Sequence, residues 1–298
     1  MLYFFHLLLF LIRPQQGYGC LTLQQNEVRS LYGPCPNVEK LPIGPKVCIG
    51  AGTGLGECYL TPNQNTTNGD DVTYSCFASE GGHVEYAPRN DIEIQMYQFL
   101  MNKFSSKHRI SVERVVSGKG LANVYDFLSN KFPLRKNSMV HAEFMAAGDE
   151  QGRVVSENAN NSTLCQEAIS IMISAYGCET GSVAIKFIPT GGLFVTGGLT
   201  PKNIKYIEGL HTDFMESYLN KGRVSPLLQH IPLFAVLVED LGVRGAHKAA
   251  YTEYESHIRT SQDGGNMQKQ KRFNDPWLVG AIVALTLAVG SVTLLRRK

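Results

Sequence analysis

Val47-Cys48-Ile49-Gly50-Ala51-Gly52-Thr53-Gly54-Leu55-Gly56-Glu57-Cys58-Tyr59-Leu60 carries four glycines at every second position, between two apolar runs of strand type. A dinucleotide fingerprint needs its third glycine at position 55, which is leucine, and a helix directly afterwards. Instead the residues after Gly56 return to a strand pattern, which predicts a strand–glycine turn–strand hairpin. Without Cβ atoms such a turn can adopt positive φ and bring several N–H groups towards a phosphate. On these residues alone, a phosphate-binding hairpin and a tight hairpin with no ligand stand level.

The remaining 284 residues are bounded by composition. A chain of 298 residues, 43% of them hydrophobic, can form one large domain or two modest ones. A net charge of +2 argues against a dedicated nucleic-acid binder, because no basic face dominates. Seven cysteines (Cys20, Cys35, Cys48, Cys58, Cys76, Cys165, Cys178) are scattered without a Cys-x-x-Cys pair. This spacing suits reduced thiols better than a disulfide framework or a zinc site.

The two ends differ from the middle. Leu2–Ile12 is apolar apart from His6 and stops at Arg13-Pro14. Its length suits a signal-peptide core, yet no basic residue precedes it and no small-x-small cleavage site follows. At the other end, Trp277–Leu295 runs 19 residues without a charge, between Lys269, Lys271 and Arg272 on one side and Arg296-Arg297-Lys298 on the other. As a helix it spans about 28 Å against a bilayer core of roughly 30 Å. A membrane anchor at the C-terminus of a cytosolic domain is therefore expected, behind a polar linker over 261–274.

Between the ends the pattern is mixed α and β. Asn90 can cap a helix with Glu93 three residues on, and Ile92, Met96, Phe99 and Leu100 form its inner stripe. Leu121, Val124, Tyr125, Leu128 and Phe132 repeat that spacing after an expected turn, Ser117-Gly118-Lys119-Gly120. A third helix holds Leu164, Ala168, Ile171, Met172 and Ala175, with Gly177 positioned to end it. Leu193-Phe194-Val195 and Leu233–Val238 read as short buried strands, and 129–161 as loop with some helix.

Two further motifs carry chemistry. In Ala78-Ser79-Glu80-Gly81-Gly82-His83-Val84-Glu85-Tyr86-Ala87-Pro88, a carboxylate and an imidazole flank two glycines. Glu80 can accept from two adjacent hydroxyls and His83 can donate or accept one, which suits a sugar. As an isolated motif it reads more simply as a polar turn. In Thr190-Gly191-Gly192-Leu193-Phe194-Val195-Thr196-Gly197-Gly198-Leu199-Thr200-Pro201, a short strand ends in a glycine pair, and Pro201 suits the first position of a helix. That crevice could hold an adenosine or be a plain strand–turn–helix corner.

In their order and wording the three motifs resemble the bacterial-type glucokinase family, from about Gln16 to about Ala250. The resemblance implies an α/β chain with the actin-like, ribonuclease H-like sugar-kinase fold, two lobes closing over Mg·ATP and glucose. It implies ATP and Mg²⁺ as cofactors, glucose as substrate and the entry step of glycolysis as the reaction. By resemblance Gly50, Gly52, Thr53, Gly54 and Gly56 form the second phosphate-binding loop, and Gly197 and Gly198 bind the adenosine side of ATP. Glu80 and His83 match glucose ligands, and Glu113 in Val112-Glu113-Arg114-Val115-Val116-Ser117-Gly118 matches a third. Without the resemblance Glu113 passes for a solvated carboxylate. Leu241-Gly242-Val243-Arg244-Gly245-Ala246 resembles the family's closing segment.

The departures are equally specific. The family's opening Asp-x-Gly-Gly-Thr hairpin has no match here, and its Asn-Asp-Phe segment, whose aspartate is the general base, should fall near Ile12 in the apolar run. No catalytic aspartate is therefore assigned, and a chain lacking general-base help forfeits roughly 10²–10⁴-fold in rate. The domain plan that follows is an unrelated start over 1–15, a glucokinase-like domain over 16–260 that is mainly the larger lobe, the linker, and the anchor over 275–298. Three readings stay open. The chain is a glucokinase, a membrane-tethered and inactive glucose-binding relative, or a glucokinase whose first lobe is replaced here by an unrelated start.

Overall fold

The computed structural model describes residues 15–63 and 72–262. Six strands among them form one sheet: β1 (Val28–Tyr32), β2 (Lys46–Ala51), β3 (Leu55–Pro62), β4 (Tyr74–Ser79), β5 (Leu193–Thr196) and β6 (Leu233–Val236). Their order is β1-β6-β5-β2-β3-β4. The expected hairpin is present, with Ala51 opposite Leu55 and Gly52-Thr53-Gly54 as the turn. β4 extends it to an antiparallel meander, while β5 and β6 run parallel to β2 and β1 closes the far edge antiparallel to β6. Every residue of β2 is buried, as its central place in a sheet covered by helices demands.

A parallel return from β4 to β5 needs a long crossover. It is made of α1 (Asp91–Lys103), α2 (Gly118–Lys131), α3 (Ser138–Ala146), α4 (Gln151–Glu157) and α5 (Thr163–Phe187). Four of these helices begin on a side-chain cap: Asn90, Ser117, Asn137 and Ser162 accept from Glu93, Gly120, Met139 and Cys165 N–H groups respectively. Met96 and Leu100 of α1, and Leu121, Val124, Tyr125 and Leu128 of α2, enter the core as their spacing predicts. After β5 the chain forms α6 (Leu199–Lys202), α7 (Ile204–Ile207) and α8 (Asp213–Leu219).

Four local expectations are corrected. Gly118–Gly120 is the first turn of α2, not a separate turn, because the Ser117 hydroxyl already caps the Gly120 N–H. The 129–161 region is mostly helical, with Val140, Phe144, Val154 and Val155 buried; so few apolar anchors per short helix leave a weak periodic signal. Pro201 is the third residue of α6, where its missing N–H still has no helical acceptor to serve. Gly177 does not end α5, which continues ten residues further. A Cβ at Gly177 would lie 2.0 Å from the Phe214 carbonyl oxygen, and one at Gly181 would lie 2.5 Å from that of Tyr218. These glycines admit the backbone of α8 against α5.

Leu23–Glu239 forms one compact unit, holding the sheet and α1–α8. A second unit joins residues 15–22 to α9 (Leu241–Gln262). In it Gly245 lies directly under the Gln15 carbonyl, and Arg244 pairs with Asp240 at 2.9 Å. None of the seven cysteines, all among the described residues, forms a disulfide. Among the described residues α5 is long and apolar enough to cross a membrane, but 72% of its apolar window is buried in the protein, which makes it a core helix. The apolar start Leu2–Ile12, the region near Ile12 where the family aspartate was expected, most of the linker and the anchor Trp277–Leu295 lie outside the described residues.

The α5–α8 packing gives a direct expectation. Gly177→Ala should lower the unfolding free energy by about 1–3 kcal/mol through overpacking, measured by urea denaturation. Gly242→Ala, in a helix with nothing within 4 Å of the new methyl, should be neutral or stabilising.

Candidate functional site

The glycine hairpin is pinned from one side by the segment leading into α2. The Leu55 N–H donates to Glu113 Oε2 at 2.9 Å, and the Gly118 N–H donates to the Gly52 carbonyl at 2.8 Å. A Cβ on Gly54 would lie 2.5 Å from the same Glu113 oxygen, so only glycine lets the carboxylate reach in. Glu113 is itself held by a tight turn over Val112–Arg114, and its carbonyl accepts from the Ser117 hydroxyl at 2.8 Å.

The Glu80–His83 turn packs on the same hairpin. β4 ends with Ser79 opposite Glu57, and the chain then tightens into a 3₁₀ turn over Gly81–His83. A Cβ at Gly82 would lie 2.2 Å from the Leu55 carbonyl oxygen, and one at Gly81 would collide with the buried Glu57 carboxylate. Beyond the turn, residues 84–86 run antiparallel to 110–112. Glu85 bridges Ser111, Val112 N–H donates to the Val84 carbonyl at 3.0 Å, and Tyr86 N–H donates to the Ile110 carbonyl at 2.8 Å. The ladder joins the two 3₁₀ turns that carry His83 and Glu113, Gly81–His83 on one side and Val112–Arg114 on the other. The side chains of Glu80 and His83 are 64% and 46% exposed, with Glu80 Oε2 3.7 Å from His83 Nε2, so both remain open to a ligand.

Arg109 donates to the His83 carbonyl and lies 3.5 Å from Glu85. It belongs to no sequence motif and becomes visible only across the short ladder. Behind the turn, Tyr86 donates to Glu93 at 2.7 Å and Arg89 pairs with the same carboxylate at 2.6 Å. Burial, reinforced by Glu93, pushes the Tyr86 phenol far above its usual range, so it stays a neutral donor. Glu93 was legible only as a helix-capping residue; its second task as anchor of this buried trio was not.

The third motif meets the hairpin at its other strand. Thr196, the last residue of β5, lies opposite Gly50. Gly197 follows with φ +83°, and a Cβ there would lie 2.3 Å from the Ala51 carbonyl oxygen. Both the left-handed conformation and the close approach require glycine. Added methyls at Gly52, Gly56 and Gly198 would meet nothing within 4 Å, so the backbone faces open space at these three positions. The parallel strands β2 and β5 thus deliver both glycine motifs to their shared carboxyl edge, where ligands of open α/β sheets bind. Glu113, the Gly81-Gly82 turn and Gly197 thus each meet the same hairpin. Among the described residues no group of three or more His, Cys, Asp or Glu side chains is arranged to hold a metal ion.

A family model described as glucokinase matches residues 14–253. The chain belongs to the glucokinase family. It is 37% identical to the glucokinase of Nostoc punctiforme over 241 residues, covering 77% of this chain and 67% of that one. To the glucokinase of Synechocystis sp. it is 36% identical over 241 residues, covering 77% and 64%. Among solved structures, a glucokinase from an Antarctic psychrotroph matches with a TM-score of 0.62 at 19% identity, over 80% of this chain and 66% of that chain. The glucokinase of Balamuthia mandrillaris in complex with glucose matches with a TM-score of 0.63 at 17% identity, over 78% and 62%. These likenesses establish the actin-like α/β fold. The chain spans about two thirds of the length of the curated relatives it matches.

The Glu113 contact carries a stability expectation. Glu113→Ala should cost about 1–3 kcal/mol, because the Leu55 N–H loses its charged acceptor, as read by urea denaturation. Glu113→Gln, whose amide oxygen still accepts, should cost clearly less.

Proposed function

We propose that the protein phosphorylates glucose with Mg·ATP, giving glucose 6-phosphate and ADP. The observation that supports this best is the convergence of Glu113 and the Glu80–His83 turn on the hairpin Gly50–Gly56. A sugar bound by those three side chains would lie beside a backbone suited to phosphates. Family membership supports the same reaction.

In this reading Glu80 accepts hydrogen bonds from adjacent sugar hydroxyls, His83 donates or accepts one, and Glu113 offers Oε1 while the hairpin fixes Oε2. The turn offers the phosphates the Thr53 and Gly54 N–H groups and the Thr53 hydroxyl, while the Gly52 N–H is held by the Gly54 carbonyl. Gly50 and Gly56 pair across the hairpin, their missing side chains leaving room for the nucleotide, and Gly197-Gly198 receives the adenosine. Bound to the nucleotide as part of the substrate, Mg²⁺ would supply neutralisation of the phosphate charge. The sugar 6-hydroxyl oxygen forms the new P–O bond and, with no general base assigned, its proton passes to solvent water, while the bond from the γ-phosphorus to the bridging oxygen breaks and that oxygen leaves on ADP. Little of this needs covalent help from the protein, so catalysis rests on positioning and charge stabilisation. The proposal concerns residues 16–260; the tail anchor stands as a sequence expectation on which it does not depend.

The test is calorimetric titration of the full chain with glucose and with Mg·ATP, paired with an assay for glucose 6-phosphate. Wild-type protein should bind both and form product. Glu80→Ala and His83→Ala should each weaken glucose binding at least tenfold, as loss of a charged or buried hydrogen bond implies, with Mg·ATP binding unchanged. Glucose affinity untouched by Glu80→Ala would refute the sugar assignment. Binding of both ligands without product would favour the inactive sugar-binding reading.

A further inference from the structure

We infer that Tyr176 is a positioning residue for ATP, its hydroxyl locking the phosphate hairpin to the adenosine turn from behind without touching the nucleotide. This rests on the reading of those two motifs as the ATP site. Tyr176 lies on α5 and is 1% exposed. Its hydroxyl accepts from the Ala51 N–H at 3.2 Å and lies 3.3 Å from the Ile49 carbonyl and 3.2 Å from the Thr196 carbonyl. Ala51 is the last residue of β2 before Gly52, and Thr196 is the last residue of β5 before Gly197. One oxygen therefore sits at the seam where two parallel strands release the two glycine motifs.

The chemistry of the group fits the task. A phenol has one donor hydrogen and acceptor lone pairs, so it can take the Ala51 N–H while sharing its hydrogen between the two carbonyls. Burial pushes its pKa above the usual tyrosine range, which keeps the hydrogen in place. Thr200 continues the network, its hydroxyl donating to the Thr196 carbonyl at 2.7 Å. The tolerance at the seam is small: a methyl at Gly197 would lie only 2.3 Å from the Ala51 carbonyl oxygen. A displaced Ala51 must move against Gly197, so loss of the phenol disturbs both halves of the nucleotide cradle together. The sugar side has its own fastening on the opposite strand of the hairpin, Glu113 on the Leu55 N–H and Gly82 against the Leu55 carbonyl, which the loss of the phenol leaves in place.

Tyr176→Phe keeps the ring and its edge-on contact with Phe214 and removes only the hydroxyl. Titrated as the full chain, this variant should bind Mg·ATP about five- to twentyfold more weakly than wild type, with glucose affinity within twofold. A merely structural tyrosine would leave both affinities unchanged or weaken them alike, and either result overturns the inference. Wild-type protein that takes up no Mg·ATP overturns the nucleotide reading, and this inference with it. Should the variant fail to fold, amide hydrogen exchange of the wild-type chain decides: Mg·ATP should slow exchange at Ala51, and an unchanged rate in nucleotide-saturated protein overturns the inference.

Discussion

A carboxylate hydrogen-bonded to a glycine hairpin, Glu113 to the Leu55 N–H, is the contact on which the arrangement of the site depends. The turn Gly52-Thr53-Gly54 has almost no side chain of its own to hold it. Flexible glycines lose more entropy on ordering than other residues, so their geometry must be imposed from outside. Glu113 and the Gly118 N–H impose it on one side, and the Gly81-Gly82 turn packs against the adjoining strand. The hairpin thereby stands between an exposed polar turn, Glu80 to His83, and an open glycine edge.

That hairpin is positioned by the topology of the sheet. An antiparallel meander, β2-β3-β4, ends at Glu80, whereas the parallel return through α1–α5 brings β5 up beside β2. The first connection sets the Glu80–His83 turn and the second sets the Gly197-Gly198 turn, so two chemically different motifs reach the same hairpin by different routes. α5 is the element that makes the second route rigid. It is buried on its core-facing side, accepts α8 at Gly177 and Gly181, and places Tyr176 under the seam.

Much of this was legible in the sequence because the relevant residues have few alternatives. Alternating glycines between β-branched and apolar runs could hardly form anything but a hairpin, and the Asn90–Glu93 pair announced its own helix start. What escaped was set by tertiary contact. Gly177 looks like a helix terminator locally, yet it is a contact point for a backbone 37 residues away, at Phe214. Glu113 has no local signature, and its proximity to the hairpin follows only from the short ladder that pairs Glu85 with Ser111. Tyr176 falls in the apolar stripe of a core helix, where its hydroxyl is invisible to periodicity. In α3 the exposed positions include Met139 and Met145, so apolar residues on both faces blur the period, and α4 begins without a side-chain cap.

The central claim is that one hairpin serves both ligands, with Glu113 as the shared link. Amide hydrogen exchange across residues 52–56, measured with and without saturating glucose, tests it most directly. If glucose engages Glu113, the carboxylate is held more firmly against Leu55, and exchange at Leu55 and the adjoining turn should slow. Exchange there that is unchanged while glucose is demonstrably bound would contradict the account.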